Sequence, residues 1–258
     1  MSQQNLLKNK KILLTGDDGY NSIGIRLLIS LLKYDNELKV VATQSQQSGV
    51  GGVMNLTTDI EFERTEVDGI EAIVVKGSPV DAMEVAPCFF KSKFDLIISG
   101  VNLGENVTYA IISSGTFAAA VRGIGCNLAP KAIVLSFKAH FSNTLRSHNG
   151  IDPINEYLDY PGKAIIQTLD TIIEQGFWDK NIVNVNFPAN PTTEYKITQL
   201  DPNIIDYWDP GFVLDEKHNK VIQSRSSYPY GTKLNKDVNL DTGALTHGFI
   251  SINPITFS

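Results

Sequence analysis

Apolar residues in this chain fall into short, nearly continuous runs separated by amphipathic stretches. The runs KILLT (11–15), KVVAT (39–43), FDLIIS (94–99), AIVLSF (132–137) and IVNVNF (182–187) read as strands buried on both faces. Between the first two, SIGIRLLISLL (22–32) puts Ile25, Leu28 and Leu32 on one helical face, with Asn21 or Ser22 to cap its start. Residues 81–90 and a compact segment from Thr116 also read as helix, as does 162–174 with Ile165, Ile166, Leu169 and Ile173 on its apolar side. The stretch 59–75 holds two β-rich runs around Asp68-Gly69, a hairpin. Alternating strand and helix predicts an α/β fold with a parallel, doubly wound sheet. After Pro188 the periodicity weakens, and 193–240 is rich in Pro, Tyr, Asp and Asn. The expected organisation is a core over 1–192, an arm with irregular hairpins over 193–247 and a returning strand over 248–258.

Composition narrows the function. The 258 residues fit one large domain; 42% are hydrophobic and 19% charged, as in a soluble globular protein. Twenty-two Lys+Arg against 28 Asp+Glu give a net charge of -6. That balance argues against coating nucleic acid, but small anionic substrates stay open, because a metal ion or a helix N-terminus supplies local positive field. Cys88 and Cys126 stand alone, so neither a zinc site nor a disulfide framework is expected. The polar stretch 1–11 and the apolar run after it, too short for a signal h-region or a membrane span, lead to the expectation of a cytoplasmic protein.

Four motifs bear chemistry. Gly16-Asp17-Asp18-Gly19 directly follows the first strand. Ligands of open α/β sheets sit at the carboxyl ends of strands, and adjacent carboxylates there suit a hard divalent cation; a plain Asp-Gly turn reads the same residues. Asn102, at the end of another core strand, is an acceptable neutral ligand or ordinary turn chemistry. Ser113-Ser114-Gly115-Thr116 precedes a helix of small residues, either a phosphate cradle or a simple N-cap. Ser48, in the Gln/Ser/Gly loop after the second strand, has a hydroxyl within reach of the same edge. Together these groups suit a metal-assisted phosphate hydrolase.

With these residues in view the chain resembles the SurE-type 5'/3'-nucleotidases. The resemblance runs from Lys11 to about Pro188 and returns at 248–254, carried by ILLTGDDGYNSIGIRLL, SQQSGVGG, KGSPVDAM, DLIISGVNLGENV, SSGTFAAAVRG, NVNFP and GFISINP. It implies a Rossmann-like three-layer fold with a mostly parallel sheet and a protruding β-hairpin arm used in homodimer or homotetramer contacts. It implies divalent-metal-dependent hydrolysis of nucleoside monophosphates, with one Mg²⁺ or Mn²⁺ per subunit. The implied metal ligands are Asp17, Asp18, Ser48 and Asn102; Asn106, Ser114, Gly115 and Thr116 are the implied phosphate-binding residues. Three differences stand out. Gly16 replaces the family's usual Asn, Ser113 replaces a common Tyr, and 107–112 lacks the usual Gly and acidic residues. Many members also continue into a C-terminal helix exchanged between protomers, whereas this sequence stops at Ser258.

The reaction expected on this basis is direct in-line hydrolysis, with Asp17, Asp18 and Asn102 at the chemical step and Asp17 accepting the proton of the attacking water. A broad acid phosphatase or exopolyphosphatase would use the same site. A receiver-like signalling module and a non-catalytic phosphate-binding protein are the alternatives from other classes. Tyr207, Trp208, Tyr228, Tyr230 and Arg225 in the arm suit either base stacking or a subunit interface. His140, His148, His218 and His247 lie outside the motifs and read as surface or structural residues.

Overall fold

The apolar runs pair as their alternation requires. A computed structural model describes residues 7–139, 148, 150–177, 181–203, 212–223 and 235–256. Its strands in chain order are β1 (Lys11–Thr15), β2 (Glu37–Thr43), β3 (Phe62–Val67), β4 (Ile70–Val75), β5 (Leu96–Leu103), β6 (Ala132–Phe137), β7 (Ile182–Phe187), β8 (Tyr195–Ile197), β9 (Phe212–Asp215), β10 (Lys220–Gln223) and β11 (Ile250–Ile255). Nine of them form one sheet in the order β3-β4-β2-β1-β5-β6-β7-β11-β8. The β3–β4 and β7–β11 pairs are antiparallel and the remaining pairs are parallel. Helices α1 (Ile23–Leu32), α2 (Pro79–Phe89), α3 (Gly115–Gly125), α4 (Lys163–Glu174) and α5 (Asp241–Thr246) complete the frame.

Side-chain alternation explains why the strands read as continuous apolar runs. Ile12 and Leu14 of β1 point to one face and pack with Leu28 of α1 and Ile165 and Leu169 of α4. Leu13 points to the other face and packs with Ala82 and Met83 of α2 and Ala119 and Ala120 of α3. The result is three layers, helix–sheet–helix, with both faces of the central strands buried and the edge strands β3 and β8 largely exposed.

Local signals set most element ends. The Ser22 hydroxyl accepts the Ile25 N–H at 3.3 Å and starts α1. The structure starts α2 at Pro79, two residues before the expected Asp81. Ser78 and Asp81 form a reciprocal capping box, with Asp81 N–H donating to the Ser78 hydroxyl at 3.1 Å and Ser78 N–H donating to Asp81 Oδ2 at 2.9 Å. Strand β5 continues past Ser99 through Asn102, with a register shift against β6 between those two residues. Asn102 therefore sits in a strand rather than in the loop after it.

The span 193–247 divides. β8 joins the edge of the main sheet beside β11, and α5 packs on β11 and β7. β9 and β10 form a separate two-stranded antiparallel sheet. Tyr207, Trp208, Arg225, Tyr228, Tyr230 and His140 lie outside the described residues.

Candidate active site at the carboxyl edge of the sheet

From β1 the chain runs to β2 and β4 on one side, then returns to β5, β6 and β7 on the other. The direction of winding reverses between β1 and β5, the place where open α/β sheets bind ligands. The loop after β1 carries Asp17 and Asp18, and the end of β5 carries Asn102. Close packing draws the two together: a Cβ on Gly24, in the first turn of α1, would lie 1.9 Å from the Val101 carbonyl oxygen, so only glycine lets the helix start seat against β5.

Asp17, Asp18, Ser22, Asn102 and Thr116 line one crevice. Asp17 and Asp18 are 4% and 5% exposed. The Thr116 hydroxyl donates its proton to Asp17 Oδ1. Asp18 Oδ2 accepts the Leu103 N–H at 3.1 Å, and Asp18 Oδ1 accepts from Gln46 Nε2 at 3.4 Å. Burial raises the Asp17 pKa, against the Thr116 hydroxyl and the Gly115 and Thr116 N–H groups, which favour the ion. Burial, and then repulsion from Asp17, push Asp18 up to about 7. Among the described residues no Lys, Arg or His is ion-paired with either carboxylate.

Asn102 completes the acceptor set. Its Nδ2 donates to the Gly104 carbonyl at 2.8 Å, which leaves Oδ1 for the Thr116 side of the crevice. Oδ1 lies 3.2 Å from the Thr116 hydroxyl oxygen, whose single proton already serves Asp17. Two carboxylates and an amide oxygen thus converge without a compensating positive charge. This all-oxygen set fits a hard divalent cation. No cluster of three or more His, Cys, Asp or Glu suited to a metal occurs among the described residues, so a cation held here would need neutral oxygens as further ligands.

The remaining candidates are placed unevenly. Ser48 is exposed, and its side chain makes no hydrogen bond to either aspartate among the described residues. Its loop nevertheless reaches the edge, through Gln47 N–H to the Asp17 carbonyl at 2.6 Å and Gly51 N–H to the Ser113 carbonyl at 3.0 Å. The Ser114 hydroxyl accepts the Phe117 N–H at 3.1 Å as the N-cap of α3 and keeps its own proton to donate. The start of α3 faces the Asp17 carboxylate rather than open space.

Asn106 is held by residues that the motifs did not single out. Its N–H donates to Asn186 Oδ1 at 2.8 Å, and its carbonyl accepts from Asn184 and Asn186 Nδ2, each at 3.0 Å. Its own Nδ2 donates to the Ser136 hydroxyl at 2.9 Å. Ser136, Asn184 and Asn186 are 0% exposed. The available signal was in IVNVNF: two asparagines at strand spacing on a strand buried on both faces need polar partners. Of the histidines, His148 accepts the Ile23 N–H at 3.5 Å, His218 pairs with Asp215 at 2.8 Å, and His247 Nδ1 donates to the Gly243 carbonyl at 2.8 Å.

Known proteins resemble the chain in sequence and in fold. The profile of the family described as "Survival protein SurE" matches residues 12–206. A protein named 5'-nucleotidase SurE from Methanoculleus marisnigri is 30% identical over 253 residues, covering 95% of this chain and 91% of its own. One of the same name from Thermococcus kodakarensis is 34% identical over 194 residues, 74% of this chain and 72% of its own. The crystal structure of the SurE protein from Aquifex aeolicus superposes with a TM-score of 0.70 at 23% identity, covering 95% of this chain and 92% of that one, and so shares the fold.

Proposed function

Because this chain belongs to the SurE survival-protein family, we propose that it is a divalent-cation-dependent phosphomonoesterase that hydrolyses nucleoside monophosphates to nucleoside and phosphate. The observation that carries this reading is the pair of buried aspartates at the winding reversal, without a cationic partner among the described residues and facing the Asn102 amide oxygen. Asp17, Asp18 and Asn102 would hold Mg²⁺ or Mn²⁺, with Ser48 brought in from its loop. Bound there, the cation would make water a better nucleophile and neutralise phosphoryl charge.

The chain's own groups do the rest. Thr116 keeps Asp17 oriented through its hydroxyl proton. Ser114 has a hydroxyl proton to give to a phosphoryl oxygen, and Asn106, clamped at backbone and side chain, presents a fixed loop to the phosphate. Asp17 takes up the proton of the attacking water in this reading. A cleft of about 300 Å³ lined by Gln44, Ser45, Gln47, Lys76 and Gly77 adjoins the acidic loop and has room for the nucleoside. The exposed apolar hairpin β9–β10 supports assembly as a homodimer or homotetramer. Cys88 and Cys126 are free thiols, which supports a cytoplasmic setting, and no described helix is long and apolar enough to cross a membrane.

The test is phosphate release from 5'- and 3'-nucleoside monophosphates, p-nitrophenyl phosphate and polyphosphate, with Mg²⁺ or Mn²⁺ and with chelator. Turnover of nucleoside monophosphates that requires the cation and falls at least about a hundredfold in Asp18→Asn is expected. Cation-independent turnover, or an active Asp18→Asn enzyme, would overturn the reading.

A further inference from the structure

The segment between Asn102 and Ser114 has little regular structure of its own, a 3-10 turn at Tyr109–Ser113. It is pinned at Asn106 and again at Thr108. Thr108 has φ 60 and ψ -173, a left-handed region costly for a β-branched residue. Something outside the loop must hold it there. The Thr108 N–H donates to Asp241 Oδ2 at 2.8 Å, from 133 residues away in sequence. Asp241 opens α5 and is 0% exposed. Its Oδ1 accepts the N–H groups of Thr242 at 2.8 Å and Asp201 at 3.0 Å. The Asp201 carbonyl accepts the Tyr109 N–H at 3.2 Å, so the same unit grips the loop at two consecutive residues. The Thr242 hydroxyl and Asn235 Nδ2 both donate to Asp201 Oδ2 at 2.5 Å and brace the unit from behind.

We propose that Asp241 is a positioning residue that fixes the phosphate-binding loop through the Thr108 amide. This rests on the reading that the loop carrying Asn106 and Ser114 binds the phosphoryl group. A carboxylate suits the role because both oxygens accept, and N–H bonds to an ionised acceptor are strong. An asparagine there has one oxygen for two sets of donors. That oxygen goes to the pair from Thr242 and Asp201, and its NH₂ then faces the Thr108 N–H. Asp241→Asn therefore releases the loop while keeping α5 on its neighbours. Thr242→Val does the reverse: it removes the brace to Asp201 and leaves the Thr108 bond in place.

The experiment compares full-length wild type, Asp241→Asn and Thr242→Val, each with saturating Mn²⁺. Asp241→Asn raises KM for a nucleoside 5'-monophosphate and the inhibition constant of inorganic phosphate together, by about tenfold. The Mn²⁺ activation constant stays within about twofold, because Asp17, Asp18 and Asn102 are untouched. Amide exchange over 104–113 speeds up in Asp241→Asn and not in Thr242→Val. Equal KM shifts in both variants, or unchanged KM and exchange in Asp241→Asn, would overturn the assignment. Exchange in the unmodified protein supplies a check that needs neither folding of a variant nor turnover. The Thr108 amide exchanges together with the amides of α5; exchange as fast as that of an unprotected loop would overturn the proposal. Absent phosphate release in wild type would instead sink the nucleotidase reading and leave the exchange result to decide this one.

Discussion

Gly115 is packed against Asp17 with no room for a side chain: a Cβ there would lie 2.8 Å from Asp17 Oδ2 and 2.9 Å from the Asp17 Cβ. The glycine of the Ser-Gly-Thr turn thus sets how deeply the carboxylate sits against the first turn of α3. Gly115→Ala should displace Asp17 while leaving α3 helical, since alanine is the better helix former. We expect cation-dependent turnover to fall at least about tenfold, because small misplacements of reacting groups are costly, and the melting temperature to fall as well, because the added Cβ would also lie 2.9 Å from Pro79 Cγ. Phosphate-release kinetics and a thermal melt check this; a near-wild-type rate would show that the Asp17 position is not critical.

Asn186 serves the Asn106 backbone twice, as acceptor for its N–H and donor to its carbonyl. Asn186→Ala leaves that buried N–H without its acceptor. The expected loss of stability is about 1–3 kcal/mol, with a raised KM because Asn106 loses its anchor. Denaturant titration and steady-state kinetics measure the two effects separately. Asn186→Asp keeps the acceptor but buries a carboxylate whose second oxygen faces the Asn106 carbonyl, so it should be no more stable than Asn186→Ala.

The layered α/β core was legible because buried parallel strands write themselves as continuous apolar runs, and β1, β2, β6 and β7 lie where those runs do. Asp17, Asp18 and Asn102 were legible as a set because strand ends share an edge, and the structure brings them to one crevice with Thr116. What stayed hidden depends on contacts far apart in sequence. Asp241 and Thr108 are 133 residues apart, and nothing local in DTGALT announces a carboxylate that holds a loop. α5, within the expected arm, is equally illegible, since six residues are too few to show a helical period. The N-terminus of α3, expected to cradle phosphate, faces Asp17 first, a contact between positions about a hundred residues apart.

The β9–β10 hairpin turns apolar side chains to solvent. Leu214 and Val221 are cross-strand partners and are 64% and 59% exposed. Neither is covered by the rest of the chain, so Leu214→Lys and Val221→Lys should change the stability of an isolated subunit by less than about 0.5 kcal/mol. If the hairpin joins subunits, the double variant should elute as a smaller species at the same protein concentration, with its melt then dependent on that concentration no longer. Light scattering after size-exclusion chromatography reads the mass directly. An unchanged oligomer would remove the hairpin from the interface.

Removing the cation should make stability depend on pH in a diagnostic direction. Asp18 has its pKa raised from 3.8 to about 7, Asp17 is raised as well, and Asp241 is raised to about 6. Between the ordinary carboxylate range and about 7 the native state therefore binds more protons than the unfolded chain. Unfolding free energy must fall as pH rises through that window, and the contribution is fully present only below it. Carboxylates held low by surface pairs, such as Glu61, Glu71 and Asp159, work the opposite way but titrate at lower pH. Chelator-treated protein should accordingly melt higher at about pH 5.5 than at about pH 7.5. Saturating Mg²⁺ or Mn²⁺ should raise the melting temperature most at the higher pH, where the carboxylates are free of protons and repel each other. Asp18→Asn removes one of the two charges, so it should flatten the chelated profile and abolish the cation-induced shift. Melting curves that are the same with and without cation at about pH 7.5 would mean that no cation binds the aspartate pair.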